Sequence, residues 1–420
     1  MDFGLFERFV RHGELTIVDH KDRRRVFGAG EPSATWHLRT PFVLGKILRN
    51  PELNLGETYL NGEWDVAEGT TLHALLTLLR INLEPQLRSD GWHRRLASAL
   101  VSWNSLAASR RNASHHYDMD EPLFRACLDR EMHYSCAYFR EPDISLEAAQ
   151  QAKANHIAAK LSLQPGQKVL DIGSGWGSLA LHLAEHFGVS VVGITLSSEQ
   201  LRVAREAAAA RGLSDKVQFH LEDYRNHHAT YDRIVSVGMF EHVGRRNFRR
   251  FFGAVKALLA PDGIALVHTI ASEGRPAPTN AWIRRHVFPG GYIPSMSDVA
   301  NAVERTGLSS ADVEVLRGHY AITLKEWHRR FHNERASFAA SKGERFCRMW
   351  EFYLVVSQTA FEVGDLVVHH WLLAKDKFSV PTTRDYQYES ESFESSAKVA
   401  NHSLRSIAAS RNEPNREQDG

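Results

Sequence analysis

Residues 168–200 read KVLDIGSGWGSLALHLAEHFGVSVVGITLSSEQ. Their apolar and polar positions predict strand, turn, helix, strand and a second helix. Lys168–Ile172 is a short apolar run suited to a buried parallel strand. Leu179, Ala180, Leu183, Ala184 and Phe187 then fall on one helical face. Ser190–Thr195 is another buried strand, and Ser197 with Gln200 three residues on has the form of a capping box. This alternation is one half of a doubly wound α/β sheet.

The same reading extends in both directions. After this unit, Val217–Leu221, Tyr231–Val237 and 263–269 are predicted strands, with a helix at 247–259 and a turn at Pro261–Gly263. Helices are expected at 297–306, 324–340 and 344–363, and strands at 311–318 and 365–374. Before it, 145–161 and 122–128 are helical. Residues 109–120 are polar and basic and suit a linker. The front of the chain predicts a short amphipathic helix at 1–11, a hairpin over 14–28 and a strand at 35–40. Helices follow over 41–83, and 92–109 is helical. The stretch 56–64, GETYLNGEW, is expected to be a turn with packed rings. Residues 389–420, rich in Ser, Asn, Arg and Glu, are expected to be disordered. Three parts result: a small α+β domain at 1–110, a larger α/β domain at 111–388 and a polar tail.

Composition narrows the function classes. Of 420 residues, 51 are Lys or Arg and 50 are Asp or Glu, for a net charge of +1. Nothing in that balance announces nucleic acid. Cys127, Cys136 and Cys347 form no C-x-x-C pair, which argues against structural zinc and against a disulfide framework. His115-His116 lacks further ligands at useful spacing, so no metal site is expected. No apolar run reaches the ~18 residues of a membrane span. The N-terminus carries early acids and no signal-peptide core. A cytoplasmic protein, soluble or peripheral to the membrane, is expected.

The chemistry gathers at strand ends. Gly173, Gly175 and Gly177 allow a sharp turn and close approach to a ligand. Their spacing is D-x-G-x-G-x-G, with Asp171 ahead of the first glycine. A dinucleotide turn is spaced G-x-G-x-x-G and holds pyrophosphate. An acid at that place repels phosphate and suits a cationic or hydroxyl-rich group, which points to S-adenosylmethionine. Glu222-Asp223, Glu241 and His268 also fall near strand C-termini, where ligands bind in open α/β sheets.

At this point the residues resemble a known family, the cyclopropane-fatty-acyl-phospholipid synthases, S-adenosylmethionine-dependent methyltransferases related to the mycolic acid cyclopropane synthases. The motifs are HHYD at 115–118, YSCAYF at 134–139, VLDIGSGWGSLA at 169–180 and GITLSSEQ at 193–200. DRIVSVGMFEHVG at 232–244, HTI at 268–270, FPGGYIPS at 288–295 and RFCRMWEFYL at 345–354 complete the set. The resemblance implies a Rossmann-like class I methyltransferase sheet. It implies that Tyr134, Ser135, Asp171, Gly173, Ser174, Gly175, Gly177, Thr195, Leu196, Ser197, Gln200, Glu222 and Asp223 line the cofactor. It also implies that Cys136, Glu241, His268, Ile270 and Tyr320 hold bicarbonate, the general base. The implied reaction closes a cyclopropane ring on a cis double bond of a phospholipid acyl chain. A front domain that touches the membrane or pairs two subunits belongs to the same expectation.

Bland readings stay beside these. Cys136 also suits small-residue packing, Glu241 a turn cap, His268 a satisfied core histidine, and Tyr320 has a weak local motif. Arg245, Arg246, Arg249 and Arg250 suit either anionic headgroups or a solvated helix face. Two departures from the family pattern bear on the site. Ser174 stands where Cys is frequent, and residues 367–371 read VVHHW where relatives tend toward Val-Phe-Gln. Methyl or methylene branching without ring closure is the nearest alternative activity, and a non-catalytic lipid binder is the alternative of another class.

Overall fold

The computed structural model describes residues 4–87 and 121–388, apart from 275 and 277. The HHYD motif, the 92–109 helix, the 109–120 linker and the 389–420 tail lie outside the described residues.

The larger part is a seven-stranded sheet. Its strands are β5 (Lys168–Ile172), β6 (Ser190–Thr195), β7 (Val217–Leu221), β8 (Tyr231–Val237), β9 (Leu259–Ser272), β10 (Ser309–Leu316) and β11 (Leu366–Ala374). Their spatial order is β10-β11-β9-β8-β5-β6-β7. From β7 to β9 all neighbours are parallel, while β11 pairs antiparallel with β9 and β10 with β11. The order reverses between β5 and β8, the crevice where open sheets of this kind take their ligands. Helices cover both faces, as the doubly wound reading requires. They include α6 (Leu146–Lys160), α7 (Ser178–Phe187), α8 (Ser198–Ala210) and α9 (Phe248–Leu258).

Local chemistry explains these starts. Ser145 Oγ accepts from the Ala148 amide at 3.2 Å and opens α6. Ser197 Oγ accepts from the Gln200 amide at 3.2 Å and opens α8. Ser295 and Asp298 form a reciprocal capping box for α11 (Met296–Glu304). Each such cap satisfies donors that a helix start leaves unpaired.

Two expectations need correction. Residues 260–263 loop out of the pairing as an irregularity within β9, Leu259 facing Tyr231 and Ile264 facing Arg233, and the strand then runs on through Ser272, past its expected end at 269. His268 therefore lies inside a strand, not at its end. Residues 56–64 are no simple turn either, since Pro51–Leu60 is a helix (α3) and Trp64 opens strand β4 (Trp64–Val66). Pro51 at the first helical position starts α3 without losing a bond. A Cβ on Gly56 would meet the Trp282 indole at 2.4 Å, so glycine is there for close packing.

The front segment has its own sheet, in the order β2-β1-β3-β4. β1 (Gly13–Val18) and β2 (Arg24–Ala29) form the expected hairpin, and β3 (Ser33–Leu38) runs parallel to β1. The first helix, α1 (Gly4–Phe9), buries Phe6 against Phe27 at 5.7 Å between rings. Helix α2 is Val43–Arg49, and α4 is Leu72–Leu87. Both α3 and α4 pack on α13 (Glu344–Glu362), the partner of the long α12 (His319–Lys342). Tyr59 lies 4.7 Å from the Trp64 ring and 5.6 Å from Phe352, so one apolar cluster joins the front segment to the large sheet's helices.

Arg348 pins this joint. Its guanidinium sits 3.9 Å from the Tyr59 ring centroid, bonds Asp65 at 3.0 Å, and donates to the carbonyls of Tyr59 and Trp64. Arg348→Ala removes all of these and leaves part-buried acceptors unpaired, a cost of about 2–3 kcal/mol. The expected result is a lower urea midpoint, with limited proteolysis entering the front segment before the rest. An unchanged midpoint and cleavage pattern would remove Arg348 from this role.

Candidate active site

The loop after β5 is tied to the neighbouring strand. The Gly173 and Ser174 amides both donate to the Ile194 carbonyl, at 2.9 and 3.0 Å. Gly173, Gly175 and Gly177 have φ of +85°, +54° and +88°, which L side chains rarely adopt. Their surroundings differ. A Cβ on Gly177 would strike Phe219 at 2.8 Å and Ala204 at 2.9 Å. Beside Gly175 the nearest atom is Gln200 Nε2 at 4.0 Å, so that glycine leaves space for a ligand.

A cavity opens on this loop. Tyr134, Ser135, Asp171, Gly173, Ser174, Gly175, Leu196, Gln200, Glu222 and Asp223 line it, all of them expected from sequence. Gly177, Thr195 and Ser197 do not. Gly177 packs behind the loop. Thr195 Oγ1 donates to Gln200 Oε1 at 2.9 Å and accepts from the Ser197 amide, so these two hold Gln200 in place. Asp223 is clamped by Arg225 at 2.8 and 2.6 Å. That neutralises it and makes it an organiser of its loop. Glu222 bonds His227 at 2.8 Å.

The electrostatics suit a cationic ligand with hydroxyls. Burial raises the Asp171 carboxyl to about 7, against the pull of Lys153. Burial likewise lowers the Lys153 amine to about 8. Ser174 Oγ is buried without a hydrogen-bond partner on the cavity wall, an orphan that a ligand's polar group satisfies. Asp171, this orphan hydroxyl and the open space at Gly175 together fit S-adenosylmethionine.

The five residues expected around bicarbonate do not line this cavity. Gly238, Met239 and His242, which flank Glu241, do. Glu241 lies in a short 3₁₀ turn directly after β8. Its Oε1 accepts from the Ile270 amide at 2.6 Å, while Oε2 is buried without a partner. Burial lifts this carboxyl to about 7, the Ile270 amide offsetting part of the rise. His268 is two residues before Ile270, and its carbonyl accepts from Gly238 at 3.0 Å. Burial drops its imidazole to about 3, helped by Lys153 and Lys160. Glu241 thus meets Ile270, and the His268 carbonyl ties the same strand to the chain just before Glu241.

Cys136 and Tyr320 come from the other side. Cys136 is fully buried, and burial pushes its thiol well above the usual range. The next amide, Ala137, donates to Thr323 Oγ1 at 3.1 Å. Tyr320 is on α12, one turn before Thr323, and its ring meets Trp327 and Phe361. Tyr320 follows β10 as expected, but inside a helix. A shared helix brings it to the Cys136 segment.

Lys153 was missed from sequence. It is 1% exposed, donates to Ser135 Oγ at 2.9 Å, and faces Asp129, Cys136 and Asp171. The available signal was position: Ala149, Lys153, Ile157 and Lys160 share the buried face of α6. Among the other lining residues, Tyr224 and Arg225 also had no sequence signal that singled them out, and Pro289 falls in the FPGGYIPS motif.

Comparison with known proteins fits this geometry. The family described as mycolic acid cyclopropane synthetase matches residues 104–371. The probable fatty acid methyltransferase of Pseudomonas putida is 41% identical over 380 residues, 85% of this chain and 92% of its own. The cyclopropane-fatty-acyl-phospholipid synthase of Escherichia coli strain K12 is 38% identical over 339 residues, 80% of this chain and 87% of its own. The solved structure of mycolic acid cyclopropane synthase CmaA1 complexed with SAH and CTAB is 32% identical, with a TM-score of 0.60 over 63% of this chain and 98% of that one. With more than half its length matched, this chain belongs to the mycolic acid cyclopropane synthetase family and is an S-adenosylmethionine-dependent methyltransferase.

Proposed function

We propose that the enzyme methylates a cis double bond of a phospholipid-bound acyl chain and closes a cyclopropane ring. The observation that carries this reading is Glu241: a buried carboxyl with one oxygen on the Ile270 amide and the other unpartnered, beside the cofactor loop. A structural carboxylate in such a place would have both oxygens satisfied.

S-adenosylmethionine supplies a sulfonium methyl, and bicarbonate supplies a base for the proton that ring closure releases. The chain's own residues prepare for both. Asp171, Gly175 and Ser174 hold the cofactor, with Tyr134 and Ser135 closing over it. Glu241 accepts from the base's hydroxyl, Tyr320 and the backbone amides donate to it, and His268 takes up the proton that the base collects. Cys136 and Ile270 give that pocket small, dry walls.

Water must be kept out, because positive charge that develops on carbon is quenched by it. Around Tyr134 the walls are rings: Phe124 at 4.9 Å, Trp327 stacked at 5.2 Å, and the Tyr353 hydroxyl at 3.0 Å. Aromatic faces also attract a cation. We assign lipid docking or subunit pairing to the front segment, residues 1–110, where Val26, Phe42 and Leu48 stand exposed. In this reading the enzyme works at the inner face of the cell membrane, and residues 111–388 form the methyltransferase unit. Branching of the acyl chain without ring closure stays as the second reading, since the Pseudomonas putida relative is described as a fatty acid methyltransferase.

Lipids from vesicles incubated with enzyme and S-adenosylmethionine separate the readings by mass spectrometry. The expected product gains one methylene unit and resists mild hydrogenation. A product that keeps an alkene establishes branching, and no product on any unsaturated lipid defeats the proposal.

Glu241→Gln is expected to lower turnover by about 10²-fold or more while leaving cofactor affinity intact. Its stability at pH 8 should match or exceed the parent's. A carboxyl whose pKa is raised on folding costs stability above its unfolded value, and the amide removes that cost. Turnover near the parent's would exclude Glu241 from the chemistry.

Cofactor affinity should rise with pH between 6 and 8, because Asp171 ionises near 7 and Lys153 sheds its repelling charge near 8. Asp171→Asn should flatten the lower part of that titration, followed by calorimetry.

The two glycines should separate as well. Gly175→Ala is expected to weaken cofactor binding more than stability, and Gly177→Ala to lower the thermal midpoint more than intrinsic binding. The reverse pattern would contradict the packing described for the loop.

A further inference from the structure

Behind His268 lies a row of ionisable side chains that the proposed reaction does not use. Three adjacent strands build it. In the β9–β11 register His370 stands opposite His268, and in the β10–β11 register Glu314 stands opposite His370. Paired positions on neighbouring strands present their side chains on the same face. His268 Nδ1 lies 2.8 Å from His370 Nε2, with both rings buried. His370 Nδ1 is buried without a hydrogen-bond partner and lies 3.7 Å from Glu314 Oε2. The same carboxylate oxygen is held by His156 Nε2 at 2.8 Å and Lys160 Nζ at 2.5 Å. The Glu314 side chain is 26% exposed, so the row begins at the base site and ends at water.

Three atoms of this cluster, from His156, Glu314 and His370, come within 4.8 Å of one another, a spacing that also invites a metal ion. The Lys160 ammonium already supplies the cation there. The cluster is therefore read as a path for protons.

We propose that His370 is a positioning residue that couples His268 to solvent through Glu314, so that a proton taken up at His268 is matched by one released outside. This rests on the reading of His268 as part of the base site. Two ring nitrogens 2.8 Å apart hold one proton between them, one donating and the other accepting. In the starting tautomers His268 Nδ1–H donates to His370 Nε2, and His370 Nδ1–H points to Glu314. A proton arriving at His268 Nε2 lets the Nδ1 proton pass to His370 Nε2. The His370 Nδ1 proton then passes to the Glu314 carboxylate and on to water. One proton enters, one leaves, no bond between heavy atoms changes and both rings end neutral.

Burial favours a neutral His370, with Lys160, His268, His156 and Lys153 adding to the effect. A stepwise relay through a charged ring is thereby disfavoured. Other groups facing the row are His319, near Glu314 and His156, and Asp312 and Arg384, near Lys160. Burial raises Glu314, but the His156 hydrogen bond and the charges of His156 and Lys160 overcome it and hold the carboxyl low. The end of the row is thus an ionised carboxylate that holds a proton only in passing to water.

Two arms test this on the full chain. In the first, histidine-labelled ¹⁵N protein without substrate is observed by NMR. The ring proton shared by His268 and His370 is expected far downfield. It should vanish in His370→Gln and shift in Glu314→Gln, with circular dichroism checking that each variant is folded. A resonance unmoved in Glu314→Gln overturns the coupling.

In the second arm, His370→Gln keeps a hydrogen-bonding amide beside His268 but carries no proton onward. Its kcat is expected to fall by about 10²-fold with KM for S-adenosylmethionine within about twofold, and the pH profile of kcat to change shape. Parental kcat and an unchanged pH profile overturn the relay. Should the parent itself alkylate no lipid, the proposed function fails instead, and the NMR arm alone decides the proton path.

Discussion

Lys153 carries an amine into a place that water does not reach, and much of the site is arranged around that fact. An isolated buried charge is costly, and it persists where partners surround it. The partners come from separate stretches of chain: Ser135 by hydrogen bond, and Asp129 and Asp171 by charge. Lys153 also bears on His268 in β9. One side chain of α6 thus relates the cofactor loop, the Tyr134–Cys136 segment and the strand that carries Ile270. Because Asp171 and Lys153 titrate near neutrality, the balance among these groups responds to whatever cation arrives beside them.

The front segment is held by a different kind of force. Its joint to the rest is made of rings, Tyr59, Trp64, Trp282 and Phe352, with Arg348 laid across one of them. Burial of such rings stabilises broadly but gives little direction. Direction comes from the Arg348 hydrogen bonds and from Gly56, which lets the α3 backbone approach the Trp282 indole. The deep cluster includes Trp64, Trp350 and Leu354 together with Cys136 and Tyr320. Packing at the joint and the dryness of the site are therefore one property of one apolar cluster.

Much of the molecule was legible along the chain. Strands β5 to β8 and the cap at Ser197 follow from local patterns, because alternation, helical spacing and side-chain caps act over a few residues. The glycine spacing with Asp171 ahead of it already favoured a cationic ligand over a phosphate. Where the reading failed, longer-range effects won. Pairing with β11 carries β9 on to Ser272, which puts His268 inside the strand instead of at its end. Contact with Trp282, far along the chain, gives Gly56 a place in a helix.

Sequence by itself determined the fold class, the cofactor loop and the kinds of residue at the site, since each is written in spacings shorter than one helix or strand. Tertiary structure alone decided which of those residues meet. Glu241 reaches the Ile270 amide across 29 positions, and His268 reaches His370 across 102. It also decided that Lys153, unremarkable in an alanine-rich helix, is buried among acids. Contacts of that range depend on strand register and helix docking, and the charge state of a buried group depends on neighbours that linear order does not bring near.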